Sequence, residues 1–307
     1  MLNDYYRHQA DLVLTVLGYM DWDSCFAMKG GTALNFFYEN MPRLSVDIDL
    51  VYLPVRSREQ SLAEMKEELS NYVDDFTKRG FLAEIIGINK DNPVGKLYVS
   101  NKFASIKIEP NPVVRGTVLP TQMKYLSPAV KQTFQQEING GVRCLDYNEI
   151  IGGKLVAMLD RQHPRDVFDM LNYYENKDHL RDVMDLFVIY LVQANRSFSE
   201  VLSPNLQDME KLFKTNFTGM TQEPTDLNKL IVCREKALRD LRQSLETRHK
   251  EFIISFMRGA PRWELMPFEH LDQLPGMKWR LQNLQAISDI KREEEIAKIR
   301  EALVFSL

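Results

Sequence analysis

Hydrophobic and polar residues alternate over a short segment near the beginning of the chain. Val46, Ile48 and Leu50 are separated by two aspartates, Asp47 and Asp49. Residues two apart on a β-strand point to the same face, so this alternation predicts a half-buried strand with one acidic face. The two carboxylates would then stand side by side, roughly 7 Å apart at the backbone.

The spacing of hydrophobic and polar residues also predicts a sheet and helices over the first half of the chain. Helical spacing of apolar residues covers residues 4–19, and helix-forming residues cover 57–79, ending at Gly80. Strand patterns follow at 81–88, 96–99 and 103–109, whereas 113–146 predicts a connecting segment with one or two strands. These elements favour an α+β fold with a mixed sheet.

The second half of the chain is predicted to be almost entirely helical. A helix is expected over 148–160, and Pro164 is expected to open the next one. Leucines between 226 and 256 recur at the spacing of a buried helical face, and a charged final helix is expected at 290–303. We interpret Trp263 and Trp279 as packing residues.

A glycine turn precedes the acidic strand. Gly30 and Gly31 allow close approach of the backbone to a ligand, and Thr32 is a suitable N-cap for a short helix that Pro42 would end. Backbone N–H groups at the start of such a helix can bind phosphate oxygens. The turn therefore predicts one half of a nucleotide site.

The acidic pair predicts the other half of that site. Two neighbouring carboxylates repel each other unless a cation lies between them, and hard oxygen ligands favour Mg²⁺. Glu109 ends a predicted strand, and it would supply a third carboxylate if that strand neighbours Asp47 and Asp49. The alternatives are an acidic strand face in water and a solvent-exposed Glu109.

A cluster of charged residues lies on the two helices that begin the second half. Lys154 is surrounded by small and apolar residues, and it is followed by Arg161, Arg165, Asp166 and Asp169. The basic side chains could bind phosphates while the aspartates position them or accept a proton. The alternative is a salt-bridge network that joins the two helices.

Composition sets limits on the environment and the partners. The chain has 307 residues, 44% hydrophobic and 27% charged, and a net charge of −4. No apolar run approaches the roughly 18 residues of a membrane span, and no signal peptide is apparent. Three scattered cysteines favour a reducing compartment, so we expect a cytoplasmic protein. The negative charge gives no global indication of nucleic-acid binding, although a local basic groove is compatible with it.

Four motifs together resemble the AbiEii/AbiGii toxin family of nucleotidyltransferases, which includes the MenT toxins. They are KGGTALN at 29–35, RLSVDIDL at 43–50, SIKIEPN at 105–111, and EIIGGKLVAMLDRQHPRDVFDM at 149–170. The motifs cover roughly the first 170 residues. The helical remainder is similar in character but less diagnostic.

The resemblance implies a polymerase-β-like nucleotidyltransferase domain over residues 1–146 and a helical domain over 147–307 that completes the site. It implies the toxin of a toxin–antitoxin or abortive infection system, with a cognate antitoxin, and for some members transfer of a nucleotide to the 3′ end of tRNA. In the family pattern the triphosphate contacts fall on Gly30, Gly31, Thr32 and Ser45, the metal ligands on Asp47 and Asp49, and the remaining catalytic positions on Lys154, Asp166 and Asp169. The lysine more often follows a glutamate, whereas Gly153 precedes it here.

These inferences give one main hypothesis and two alternatives. The main hypothesis is a nucleotidyltransferase that uses Mg²⁺ or Mn²⁺ on Asp47, Asp49 and Glu109 to transfer NMP from an NTP to RNA, with Lys154, Arg161 and Arg165 as further nucleotide contacts. The first alternative is nucleotidylation or phosphorylation of a protein. The second is a nucleotide-binding interaction module that does not catalyse.

Overall fold

The computed structural model describes residues 2–90 and 92–304, which form two compact units. The first unit comprises Met1–Tyr147 together with Thr218–Pro224, and the second comprises Asn148–Phe217 together with Thr225–Leu307. The short segment Thr218–Pro224 therefore belongs to the first unit, although it lies far from it in sequence. Local sequence patterns do not indicate this.

The first unit is built on a seven-stranded mixed sheet. Its strands are β1 Phe26–Lys29, β2 Asp47–Tyr52, β3 Leu82–Ile86, β4 Lys96–Ser100, β5 Ser105–Pro110, β6 Gln122–Lys124 and β7 Val142–Cys144. They are ordered β3-β4-β5-β2-β1-β7-β6, with β2/β5 and β1/β7 parallel and the other pairs antiparallel. The predicted α+β class is confirmed.

Four α-helices accompany this sheet. They are α1 Asp4–Leu17, α2 Gly30–Ala33, which continues as a π-helical turn over Leu34–Tyr38, α3 Arg58–Lys78 and α4 Pro128–Phe134. Helix α1 packs on β2 and β5, and α3 packs on β3 and β4. Ile48 and Ile108, which alternate with charged residues on β2 and β5, are fully buried. Burial of these side chains is the main favourable contribution to the packing.

The structure differs from the sequence prediction at two places in this unit. The helix after the glycine turn begins at Gly30 with Lys29 at the N-cap position, so Thr32 lies inside it and is not its cap. The helical segment ends at Tyr38, before Pro42. Helix α4 was not predicted, since it has seven residues and buries only Val130.

The second unit is helical, as predicted. Its helices are α5 Tyr147–Arg161, α6 Pro164–Asn176, α7 Met184–Gln193, α8 Phe198–Leu202, α9 Glu210–Asn216, α10 Leu227–Ser244, α11 Thr247–Met257, α12 Pro275–Gln285 and α13 Asp289–Val304. The leucine-rich run divides into α10 and α11, because the backbone is extended at Leu245 and Glu246. The ring of Trp263 lies 5.8 Å from Phe252 and 6.2 Å from Phe256, which confirms its packing role.

Candidate active site

The register of β2 and β5 brings three carboxylates onto one face of the sheet. In this parallel pair Asp47 is aligned with Lys107 and Asp49 with Glu109. Asp47 and Asp49 are half-buried, while Ile48 between them points into the core. Strand β5 therefore neighbours the acidic pair, which is the condition that the sequence analysis set for Glu109.

Two lysines lie on the same face and bond to Glu109. Lys107 forms an ion pair with Glu109 and its Nζ lies 4.0 Å from Asp47 Oδ2, and Lys96 Nζ lies 2.6 Å from Glu109 Oε1. Burial alone would raise the pKa of Glu109, but hydrogen bonds from Lys107 and Lys96 outweigh burial and lower it. Burial likewise disfavours the charged form of Lys107, and the bond to Glu109 raises its pKa above the ordinary value. The face is thus an alternating array of acidic and basic groups.

The glycine turn packs directly against the second aspartate. Gly30 has φ +74°, a conformation that L side chains rarely adopt. A Cβ atom added there would overlap the carboxylate of Asp49, and one added at Gly31 would lie 2.7 Å from Arg43 Nη2. Glycine at both positions therefore allows the backbone to approach Asp49 and Arg43 closely.

Two buried hydroxyl groups tie this turn to β2. Thr32 Oγ1 donates to Ser45 Oγ at 2.8 Å and also lies within hydrogen-bond distance of the Asp47 carbonyl oxygen. Each of the two residues is 1% exposed. They hold the acidic strand against the turn, and their predicted contact with a triphosphate stays a prediction.

Arg43 is a residue of this site that the sequence analysis did not single out. Its side chain is 2% exposed, it borders Gly31, and its Nη1 donates to the Leu44 carbonyl at 2.9 Å. Its backbone pairs with Thr221, and Leu44 N donates to the Met220 carbonyl at 2.7 Å. The only signal for Arg43 was its place in the RLSVDID motif.

The acidic pair has the donor chemistry for a divalent cation. Asp47 and Asp49 share a face next to the Gly30 turn, and carboxylate oxygens are the ligands that Mg²⁺ and Mn²⁺ prefer. Over residues 2–90 and 92–304, no group of three or more His, Cys, Asp or Glu side chains is arranged to hold a metal. The pair therefore fits a cation, while Glu109 as a third ligand stays a prediction.

The charged cluster of the second unit forms a buried ion-pair network. Lys154 Nζ lies 2.9 Å from Asp166 Oδ1 and 2.8 Å from Asp169 Oδ2, and Arg161 contacts Asp166 through Nε at 2.5 Å and Nη2 at 2.9 Å. Burial would raise the pKa of Asp166, but Lys154 and Arg161 lower it well below the ordinary value. The sequence analysis gave a salt-bridge network between these two helices as the alternative to phosphate binding, and the observed contacts between α5 and α6 form such a network.

The two arginines of this cluster differ in position. The Arg161 side chain is 63% exposed although it bonds to Asp166, so its outer surface is accessible. The Arg165 Nε donates to the Asn216 carbonyl of α9 at 3.1 Å. Phosphate binding by Lys154, Arg161 and Arg165 stays a prediction.

Comparison with known proteins gives the family and a similar fold. The model of the family described as "Nucleotidyl transferase AbiEii toxin, Type IV TA system" matches residues 13–282. The fold is similar to that of MenT4, a nucleotidyltransferase toxin from Mycobacterium tuberculosis H37Rv, with a TM-score of 0.57, 14% identity, and coverage of 91% of this chain and 92% of that one. No curated protein matches the sequence. Within the described residues no helix is long and apolar enough to cross a membrane. The chain belongs to the AbiEii family of nucleotidyl transferase toxins of type IV toxin–antitoxin systems and is a nucleotidyltransferase.

Proposed function

We propose that this enzyme transfers a nucleoside monophosphate from an NTP to the 3′ hydroxyl of an RNA, the acceptor end of tRNA, and so blocks translation. The observation that carries the proposal is the contact between the Gly30 turn and the Asp49 carboxylate, on the face that Asp47 shares. Nucleotidyl transfer requires a phosphate-binding turn and a cation-binding pair at one place, and this contact brings the two candidate elements together.

The reaction exchanges a phosphoanhydride bond of the NTP for a phosphodiester bond to the acceptor. The 3′ oxygen of the acceptor forms a bond to the α-phosphorus, the bond from the α-phosphorus to the bridging oxygen breaks, and pyrophosphate leaves with that electron pair. The proton of the 3′ hydroxyl passes to a carboxylate oxygen of the acidic face. Asp47 and Asp49 would hold Mg²⁺, which supplies charge neutralisation and lowers the pKa of the hydroxyl.

The residues of the first unit have separable tasks in this scheme. Gly30 and Gly31 let the turn approach Asp49 and Arg43 closely, and Arg43 supplies a fixed positive charge next to Gly31. Thr32 and Ser45 keep β2 in register with the turn. Each task depends on geometry that is present without substrate, which is the condition for electrostatic preorganisation.

Local charge supports a nucleic-acid acceptor. The chain is acidic overall, but Lys96 and Lys107 are each more than one-third exposed on the same sheet face as the acidic pair. Ammonium groups placed there can bind the phosphates of an RNA backbone next to the reacting centre. A protein acceptor has no comparable need for them.

The proposal is tested with NTPs labelled at the α-phosphate. Purified enzyme is incubated with each NTP, with total RNA or with total cell protein, and with Mg²⁺ or Mn²⁺. We expect label in tRNA, located at the 3′ end by nuclease mapping, and loss of label with Asp47→Asn. Glu84→Gln is the matched control, because Glu84, Tyr98, Lys107 and Asp47 form one row across β3, β4, β5 and β2. Label in protein alone would overturn the RNA acceptor, and full transfer by Asp47→Asn would overturn the site.

A further inference from the structure

The first unit contains a pocket that the proposed reaction does not use. It has a volume of about 370 Å³ and lies between the end of the π-helical turn and the edge strand β6. Its lining includes Tyr38, Lys124, Tyr125 and Ser127. Its volume lies within the range of roughly 300–1,000 Å³ that small-molecule sites occupy.

One polar group of this pocket is buried without a partner. The Ser127 side-chain oxygen forms no hydrogen bond with any part of the chain that the structure describes, although the residue is only 8% exposed. Its backbone N–H is satisfied by the Phe36 carbonyl at 2.9 Å. A buried hydroxyl without a partner is unfavourable unless a ligand completes it, so Ser127 marks the polar end of the pocket.

The rest of the pocket offers flat aromatic surface and one cation. Tyr125 is 62% exposed on the edge of the sheet. Tyr38 is held in place, since its hydroxyl donates to the Leu145 carbonyl at 2.7 Å, and Lys124 Nζ lies 4.4 Å from its ring centre. An aromatic face beside a hydrogen-bonding group and an ammonium matches the apolar face, polar edge and phosphate of a nucleotide.

The position in the sheet indicates which nucleotide would bind. The edge strand β6 is separated from β2 by β7 and β1, so the β6 side of the pocket lies three strand spacings, about 14 Å, from the strand of the acidic pair. A base bound there is therefore not that of the nucleotide whose 3′ hydroxyl reacts. It belongs to a nucleotide a short distance before the acceptor end.

We propose that this pocket binds an unpaired nucleobase of the acceptor RNA, with Tyr125 as the stacking surface, Ser127 as the hydrogen-bonding group and Lys124 as the phosphate contact. This rests on the proposed RNA acceptor. It adds that the enzyme recognises single-stranded nucleotides adjacent to the reacting end. The pocket thereby acts as a positioning site and takes no part in bond breaking.

The test measures RNA binding without turnover. Fluorescein-labelled hexaribonucleotides of A, C or U are titrated with the full chain in EDTA and without NTP, and fluorescence anisotropy gives the Kd. We expect Tyr125→Ala to weaken binding about tenfold and Tyr125→Phe to retain it, because the phenyl ring still stacks. Tyr5→Ala, which removes a ring that is 60% exposed on α1, should leave binding unchanged.

Further variants separate the roles of the pocket residues. Ser127→Ala should reduce the difference in Kd among the three oligonucleotides, since it removes a hydrogen bond to the base edge. Lys124→Met should lower the slope of log Kd against log salt concentration by about the amount that one phosphate contact contributes. Tyr125→Ala should leave that slope unchanged. Circular dichroism spectra equal to that of the wild type exclude misfolding as the cause.

Three outcomes would overturn the proposed nucleobase pocket. Equal Kd values for Tyr125→Ala, Tyr5→Ala and the wild type would overturn the inference while label transfer to RNA still supports the proposed function. Weaker binding of a fluorescent NTP by Tyr125→Ala, with oligonucleotide binding unchanged, would assign the pocket to the NTP base and overturn it as well. If the wild type binds no oligonucleotide, the inference also fails, and the labelling experiment alone decides the acceptor.

Discussion

The carboxylate of Asp49 occupies the space that a side chain at Gly30 would need. A Cβ atom at Gly30 would overlap Asp49 Oδ2, and Gly30 also has φ +74°. The glycine and the aspartate are therefore a matched pair: the turn reaches the acidic strand only because it has no side chain. This relationship leads to the first prediction.

Gly30→Ala should abolish most of the transfer activity by displacing Asp49. A misplacement of about 1 Å at a reacting centre lowers the rate about 100-fold. Gly80→Ala is the control, since Gly80 has φ +88° and no atom within 4 Å of its added Cβ. Both variants should lose about 1–2 kcal/mol of stability from backbone strain, measured by urea unfolding. Equal activity in the two variants would contradict the prediction.

The second prediction concerns the role of Glu109. Glu109→Gln should raise the Mg²⁺ concentration needed for half-maximal transfer about tenfold, an effect typical of groups that orient metal ligands. The reason is that Lys107, 4.0 Å from Asp47 Oδ2, would no longer be attracted to Glu109 and would compete with the cation for Asp47. Titration of activity with Mg²⁺ measures this shift.

A double variant separates this indirect role from direct metal binding. Adding Lys107→Met to Glu109→Gln should restore the Mg²⁺ requirement toward that of the wild type, because the competing ammonium is gone. Failure to restore it would identify Glu109 as a metal ligand, as the sequence analysis predicted. Lys102→Met, which removes a lysine between β4 and β5, is the control for loss of charge alone.

Much of the first unit could be predicted because its signals are local. Alternation of Ile48 with Asp47 and Asp49 defines both the strand and its acidic face, and the same pattern places Glu109 at the end of β5. Burial of the apolar faces also fixes that Asp47 and Asp49 share a face. The parallel pairing of β2 with β5, which sets Glu109 beside them, is a tertiary contact that the sequence left open.

The parts that were not predicted depend on distant contacts. The burial of Arg43 requires the backbone of Thr221, about 180 residues later, which no local pattern specifies. Thr32 is suitable as an N-cap by residue type, but the helix begins at Gly30, and the Thr32 hydroxyl donates to Ser45 on the way to β2. Tertiary packing decided these details, and local propensity did not.

The third prediction concerns the buried network of the second unit. Asp166→Asn should destabilise that unit by about 1.5–3 kcal/mol, because the buried Lys154 keeps Asp169 as its only carboxylate of the pair and Arg161 loses its charged hydrogen bonds. Asp160→Asn is the control, because Asp160 forms an exposed pair with Arg196 at 3.0 Å that contributes at most about 1 kcal/mol. Urea unfolding followed by circular dichroism measures both values.

The network should also make stability depend on pH in a defined direction. The folded state lowers the pKa of Asp166 below its ordinary value of 3.8, so the stabilisation is complete above that pH and is lost as pH falls below it. The difference in unfolding free energy between wild type and Asp166→Asn should therefore be constant from pH 7 to about 5 and shrink in more acidic solution. A difference that grows on acidification would contradict a lowered pKa of Asp166 in the folded state.

The fourth prediction distinguishes two neighbouring glycines in α5. A Cβ atom at Gly152 would lie 2.8 Å from Leu186 Cβ and 2.9 Å from its backbone carbon, whereas one at Gly153 would lie 3.5 Å from the ring of Tyr190, an ordinary contact. Gly152→Ala should therefore destabilise the second unit by about 1–3 kcal/mol through overpacking against α7. Gly153→Ala should be neutral or stabilise it by up to about 1 kcal/mol, since alanine favours a helix. Thermal unfolding of the two variants compares them directly, and equal destabilisation by both would show that helix α5 does not approach α7 as closely as this structure has it.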